Sequence, residues 1–565
     1  MVHFGGLSYS LGCRPARKEA RLLQYSAGRL SAAAWLHYAQ DAFPMRHSTR
    51  ISIALLAFSV VLPAQEKVDL EAIYRIKQEA FQNSKVMDTL FQLTDVHGPR
   101  LAGSPRYRTG AEWVVKTLKE WGLTDVQLEP WGQFGRGWEN RKFYAAMTEP
   151  AYMPLIGAPQ AWTSSTEGLV SGEPVLAAMS TEADLEKWRG KLAGKIVLID
   201  QPRDITLHEK ADGRRYTGEE LAEIAQAQIL PFGRRMAAPG QPQPNFMQMM
   251  AFRRKLNDFL REEKIALLIQ NGRGDLGTFF TSGGGSRNPK DQPAPPMITL
   301  TAEHYNRIWR LLNRKIPVRI EAEVRNEWFD ADQHNFNIIA EIPGSGKHKD
   351  EIVMIGGHFD TWHAGTGATD NGAGSAVMLE VMRILKKLDL KLDRTVRVAL
   401  WDAEEQGLLG SRGYVTKHFA DRATMKTLPE YDKFSAYYNV DNGGGRIRGI
   451  YLQGNEMCRP IFEAWLAPLR DLGITTITSR NTGGTDHQSF DAVGLPGFQF
   501  IQDPLEYDTR THHTNMDVYD RIPREDMMQM SAVVATLVVH TANRDEKLPR
   551  KPRPEPRPQQ GPISF

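Results

Sequence analysis

After Asn337 the chain settles into a repeating rhythm that few folds can satisfy. "IVMIGGHFD" is an apolar run of strand length. "SAVMLEVMRILKKL" then sets Val377, Val381, Ile384, Leu385 and Leu388 at helical spacing. "TVRVALWDAEE", "FSAYYNVDN" and "GFQFIQD" are strand runs again. Strands buried on both faces and joined by helices predict a mixed, mostly parallel sheet sandwiched between helix layers, an α/β fold. At 565 residues the chain exceeds one ordinary core. Between about 160 and 322 the texture changes to short apolar runs, such as "KLAGKIVLID" and "EEKIALLIQNGRG", parted by Gly- and Pro-rich turns. We read residues 160–322 as a separate mixed α/β domain inserted into the main one, between an N-terminal part at 65–159 and a C-terminal part at 323–545.

The two ends are of different kinds. "MRHSTRISIALLAFSVVLPAQ", from Met45, carries Arg46 and Arg50, an apolar stretch and a small-residue cleavage point. That is the order of a secretory signal peptide, too short in its apolar part for a stable membrane span. We therefore read 45–64 as signal peptide, 1–44 as an upstream over-extension, and the mature protein as secreted or periplasmic without an integral span. Residues 546–565, Pro- and Arg-rich, are expected to form an extension without burial. The formal charge of +3 resides in the leader, so no basic surface for nucleic acid is implied. Cys13 and Cys458 are the only cysteines, which excludes a disulfide framework and a thiolate metal site in the mature chain. Any metal must be held by His and carboxylate.

Those residues gather where strands end, as reactive groups do in doubly wound sheets. "GGHFDTWHAGTGATDNGAG" holds His358, Asp360 and Asp370; "WDAEE" holds Glu404 and Glu405; "NVDN" holds Asp441; "THHTNMD" holds His513. Taken alone, Glu404-Glu405 reads as a solvated pair and Asp441 as a turn residue in "DNGGG". Together they match the needs of two zinc ions about 3.5–4 Å apart, each taking about four N/O ligands with one carboxylate shared. Asp370, Glu405 and Asp441 with one hydroxide neutralise four positive charges, and His358 and His513 complete the set. Glu404 is then left unligated, as a base beside the bound water.

"HFD…GATDNGAG", "WDAEEQGLLGS", "NVDN" and "HHTNMD", in this order, resemble the M28 family of zinc exopeptidases. "GPRLAGSP" and the insert, which is similar to a protease-associated (PA) domain, point to its carboxypeptidase Q-like branch. The resemblance implies two Zn²⁺ per chain. Asp370 would be the bridge, with Glu405 and His513 on one ion and His358 and Asp441 on the other. Glu404 would be the general acid/base, and Asp360 the carboxylate that orients the His358 imidazole. It also implies a cis peptide at Asp370-Asn371 and a recurrent position at Asp486. His512 is the rival to His513, Tyr507 reads equally as pocket, interface or core, Trp362 as packing, and His363 has no assigned role. The implied substrates are short peptides cut near a free terminus. Amino-terminal, carboxy-terminal and dipeptide specificity stay open, as does the oligomeric state, a homodimer included. The alternatives are another zinc amide hydrolase or a cyclase on the same fold, or a binding protein without catalysis.

Overall fold

In the computed structural model, residues 66–226 and 246–557 are described. The signal-peptide segment, the start at Met45 and residues 558–565 lie outside them. Eight strands form the main sheet: β1 (Thr124–Gln133), β2 (His334–Ile342), β3 (Ile352–His358), β4 (Thr395–Trp401), β5 (Phe434–Asn439), β6 (Ile447–Tyr451), β7 (Thr476–Thr478) and β8 (Gly497–Gln502). Their order is β1-β2-β4-β3-β5-β8-β6-β7. The four in the middle, β4, β3, β5 and β8, run parallel. Parallel neighbours require crossovers, and these supply the helix layers. Helices α1 (Leu70–Gln82), α2 (Pro105–Glu120), α3 (Ala373–Leu388) and α5 (Arg524–Asn543) share one apolar core with the sheet. Helix α4 (Leu409–His418) joins Trp401, Phe434, Tyr437 and Phe490 in a second, on the opposite alternation of strand residues. The expected layered α/β architecture is present. Among the described residues no helix is long and apolar enough to cross a membrane.

The second module is entered and left through one antiparallel ribbon. Gly137–Glu149 pairs with Arg319–Phe329 along its length. Beyond it lies a five-stranded sheet of Gly157–Pro159, Met297–Leu300, Leu267–Asn271, Ile196–Leu198 and Val175–Leu176, with helices Phe246–Glu262 and Ala302–Asn313. Strand pairing thus runs wider than 160–322. The ribbon strand "GWENRKFYAAMTE" is half polar because much of it is only partly buried, so its composition does not mark a boundary.

The tail departs from expectation. Leu548 is 2% exposed, and Arg550 donates to the carbonyls of Tyr431 and Phe434 at 2.8 and 2.6 Å. Lys551 reaches Asp491, and the Pro549 carbonyl accepts from Asn455 Nδ2 at 2.7 Å. Residues 546–557 hold to the main α/β unit without regular secondary structure. Proline lacks an N–H but keeps a carbonyl, so such a strand satisfies its backbone through the partner's side chains.

One residue of "GPRLAGSP" ties the N-terminal segment to the loop after β3. Arg100 is fully buried. Its guanidinium donates to the carbonyls of Phe359 (2.8 Å), Leu93 (2.5 Å) and Gly367 (3.1 Å), and it lies over the Phe359 ring. Arg100→Met orphans those carbonyls in a dry interior, and should lower stability by about 3–5 kcal/mol. A fall in the urea midpoint at unchanged slope checks this; a midpoint within error of wild type refutes it.

Candidate metal centre

The parallel strands deliver the expected side chains to one edge of the sheet. His358 ends β3, Glu404 and Glu405 follow β4, Asp441 follows β5, and His513 lies in the loop after β8. Asp370 sits in the turn leading into α3. A buried hydrogen-bonded chain fixes the strand ends relative to one another. Trp401 Nε1 donates to the Tyr437 hydroxyl (2.6 Å), which donates to Asn439 Oδ1 (2.5 Å). Asn439 Nδ2 donates to Gln499 Oε1 (2.9 Å), and Gln499 Nε2 to the Asp441 carbonyl (2.9 Å).

Asp370 is the centre of the group. Its Oδ1 lies 3.2 Å from His358 Nε2 and 3.1 Å from the Tyr507 hydroxyl. Its Oδ2 lies 3.1 Å from His513 Nε2. His358 Nε2 is also 3.4 Å from Asp441 Oδ1, and His513 Nε2 is 2.8 Å from Glu405 Oε2. One carboxylate therefore faces two His–acid pairs, one with each oxygen. The ligand atoms of His358, Asp370 and Asp441 all lie within 4.8 Å of one another. His512 is the more distant imidazole, 3.8 Å from Asp370 Oδ2, with its ring packed on His513 and Tyr507. His513 adopts φ 60°, a left-handed conformation uncommon for a residue with a Cβ, and that turn aims its ring inward. The Asp370-Asn371 peptide is cis.

The group is short of positive charge. Glu405 Oε1 is a buried atom without a hydrogen-bond donor, and Asp370 Oδ2 has only the ion-pair approach of His513 and, farther off, of His512. Burial and the neighbouring Asp370 push the Glu405 carboxyl up to about 8. Burial also raises Glu404 well above the carboxylate range, with Asp441, Asp486 and Glu405 adding to it against the opposing pull of His358. His513 is lifted to about 11, Glu405 and Asp370 outweighing the opposing effect of burial. Acids that must borrow protons and imidazoles that cling to them are what a cation site looks like with the cation removed. The donor set, imidazole nitrogen and carboxylate oxygen, suits zinc.

Asp360 divides its labour differently from the expectation. The His358 Nδ1–H donates to its main-chain carbonyl (2.9 Å), while the carboxylate is 3.7 Å away. That carboxylate instead accepts the backbone N–H groups of Glu404 (3.1 Å) and Glu405 (3.4 Å). Asp360 thus sets both the imidazole and the acidic turn. Asp517 went unassigned in the sequence reading although it closes "HHTNMD". It accepts from the N–H groups of Thr369 (2.5 Å) and Asp370 (3.2 Å), fixing the turn that carries Asp370. Asp486 is fully buried with both oxygens unpartnered, and burial raises it to about 7. His363 stands apart from the group. Its Nε2–H donates to the Pro159 carbonyl (2.7 Å), and burial lowers it to about 4, so it is a neutral structural histidine.

Residues 337–538 match the family described as Peptidase family M28. Carboxypeptidase Q of Mus musculus is 26% identical over 476 residues, covering 83% of this chain and 88% of that protein. Aminopeptidase YwaD of Bacillus subtilis (strain 168) is 28% identical over 507 residues, covering 88% and 93%. Among solved structures, a peptidase M28 precursor from Shewanella amazonensis SB2B superposes with a TM-score of 0.61 at 27% identity, covering 86% of this chain and 98% of that one.

Metal-free protein has a pH dependence of defined sign. Glu405 at about 8 and Asp517 at about 7 both lie above the unfolded carboxylate value of about 4. A group raised on folding stabilises below its unfolded pKa and ceases to as pH climbs through its folded one. His513, raised from about 6.5, acts in the same direction, and Asp370, held well below its usual value, opposes it only in acid. His363, lowered to about 4, opposes this direction between about pH 4 and about pH 6.5. Chelated protein should therefore lose thermal stability from about pH 6.5 upward, and zinc should reduce the slope, releasing protons as it binds. Melting curves with and without zinc test this; a flat metal-free profile contradicts it.

Proposed function

We propose that this chain is a metallopeptidase of family M28 that hydrolyses short peptides near a free terminus, using two zinc ions and Glu404 as general base. The carrying observation is the Asp370 carboxylate, which meets His358 with one oxygen and His513 with the other. One ion would be held by His358, Asp441 and Asp370 Oδ1, the other by Glu405, His513 and Asp370 Oδ2. Bound zinc supplies Lewis-acid activation of a water and of the scissile carbonyl.

The remaining chemistry falls to the chain's own groups. Glu404 accepts the proton of the attacking water and passes it to the leaving amine. Its buried surroundings raise its proton affinity, which suits a group that must both take and return a proton. Asp360 holds the Glu404 backbone, so that carboxyl is set before substrate arrives. Tyr507, a donor to Asp370 Oδ1, restrains the bridging carboxylate. The signal-peptide order at 45–64 supports action outside the cytoplasm.

Glu404→Gln should keep two zinc ions per chain and lower kcat by about 10²–10⁴-fold. Asp370→Ala should lose both. Elemental analysis and turnover of dipeptides, aminoacyl-nitroanilides and N-acyl amino acids check the reading. Substantial activity in Glu404→Gln, or one zinc in the wild type, overturns the assigned mechanism; cleavage of N-acyl amino acids alone overturns the substrate class.

A further inference from the structure

A cleft of about 670 Å³ runs from Glu405, Gln406 and Trp362 on the peptidase side to the helix Phe246–Glu262 and the "GGGSR" loop of the second module. Its wall holds two guanidinium groups, those of Arg287 and Arg253, that make no ion pair with a carboxylate among the described residues. Arg287 stacks its guanidinium over the Phe134 ring, 4.5 Å to the centroid, and its main-chain carbonyl accepts from the Arg136 N–H at 2.8 Å. Its Nη1 is buried without a hydrogen-bond partner. Arg253 donates to Gln160 Oε1 (3.0 Å) and to the Gly283 carbonyl, both neutral acceptors. Among the described residues neither guanidinium has a carboxylate within ion-pair distance, and burial lowers the pKa of each.

The acids of the second module that share the cleft are already engaged. Asp258 pairs with Arg261 at 2.6 Å, and Asp291 accepts from Ser286 Oγ at 2.6 Å. Gln406, beside Glu405, is 5% exposed with both atoms of its amide unpartnered. Desolvated charges are normally paired, and a buried amide is normally hydrogen-bonded. Guanidinium groups without an ion-pair partner and an unpartnered amide, lining one cleft next to the metal group, suit a ligand that brings an anion and a carbonyl or amide.

We propose that Arg287 and Arg253, with Gln406, form a subsite for a carboxylate of the bound peptide, either its terminal α-carboxylate or an acidic side chain. Planar guanidinium forks match carboxylate geometry. The anionic end of a short peptide would be anchored on the second module while its scissile bond lies at the metal group. This rests on the peptidase reading, but the subsite makes no use of the catalytic proton transfer. A purely structural role is the rival for Arg287, since the buried Asp402 attracts it from a distance.

The test uses zinc-loaded full chain and three dipeptides: Ala-Leu as the free acid, Ala-Leu-amide, and Ala-Glu-α-amide. Reduced-bond isosteres of the same three are measured for binding by calorimetry. A subsite for the α-carboxylate predicts at least about 10-fold preference for the free acid in kcat/KM and in Kd, the value of a charge-assisted contact. Restoration by the Glu side chain instead identifies that carboxylate as the one read. Arg287→Met should erase the preference chiefly through KM and leave the amide unchanged, and Arg287→Lys should restore part of it. Equal handling of acid and amide in the wild type, or equal losses on both in Arg287→Met, overturns the proposal. Selective isostere binding without turnover of any dipeptide leaves the subsite standing and overturns the peptidase reading instead.

Discussion

Crowded negative charge at the C-terminal edge of the parallel strands is the constraint on which the rest of this structure depends. Asp370, Glu404, Glu405 and Asp441 are all buried or nearly so, with His358 and His513 as their close imidazole partners. Ionised carboxylates a few ångströms apart in a low-dielectric interior repel by several kcal/mol. No amount of packing elsewhere removes that repulsion; only protons or cations do. The fold answers with rigidity beneath the acids, in the Trp401–Tyr437–Asn439–Gln499 chain. It also covers both faces of the sheet with apolar contacts that hold the strands in place.

Backbone amides do much of the positioning. Asp360 holds the N–H groups of Glu404 and Glu405, and Asp517 those of Thr369 and Asp370. Each spends a carboxylate on setting a turn. The arrangement keeps two acids one bond away from the reacting groups, so their charge acts without their occupying a ligand position. A main-chain carbonyl, not a carboxylate, takes the His358 Nδ1–H. The imidazole is thereby kept with Nε2 facing Asp370 and Asp441, at no further cost in buried charge.

Much of this was legible in the sequence because its signals are local. Apolar runs of strand length followed by helical spacing give the order of elements, and an acid or histidine just past a strand places it at the sheet edge. Asp360 was legible as a residue near the site but not in its contact, because two residues after His358 both its carbonyl and its carboxylate lie within reach. Asp517 was missed for the opposite reason: an acid four residues past His513 carries no periodic signal until the turn at Thr369 comes to meet it. The ribbon at 137–149 and 319–329 hid because strands only partly buried are half polar in composition. The tail hid because proline-rich sequence lacks a burial pattern, whereas here Leu548, the Pro549 carbonyl, Arg550 and Lys551 make the contacts.

Distribution of charge between the two modules bears on why the second one is there. The peptidase sheet concentrates acids at its edge, and the facing module contributes guanidinium groups to the same cleft. A peptide's own terminal charges are of both signs, so a cleft with an acidic, metal-holding end and a cationic end has a direction built into it. Reversing the peptide would set its ammonium against Arg253 and Arg287, where the described acids of that module lining the cleft, Asp258 and Asp291, are already engaged. Catalysis alone would be served by the sheet edge; orientation of a short, flexible substrate needs the second charge a fixed distance away. The antiparallel ribbon, paired along its length, is the element stiff enough to fix that distance.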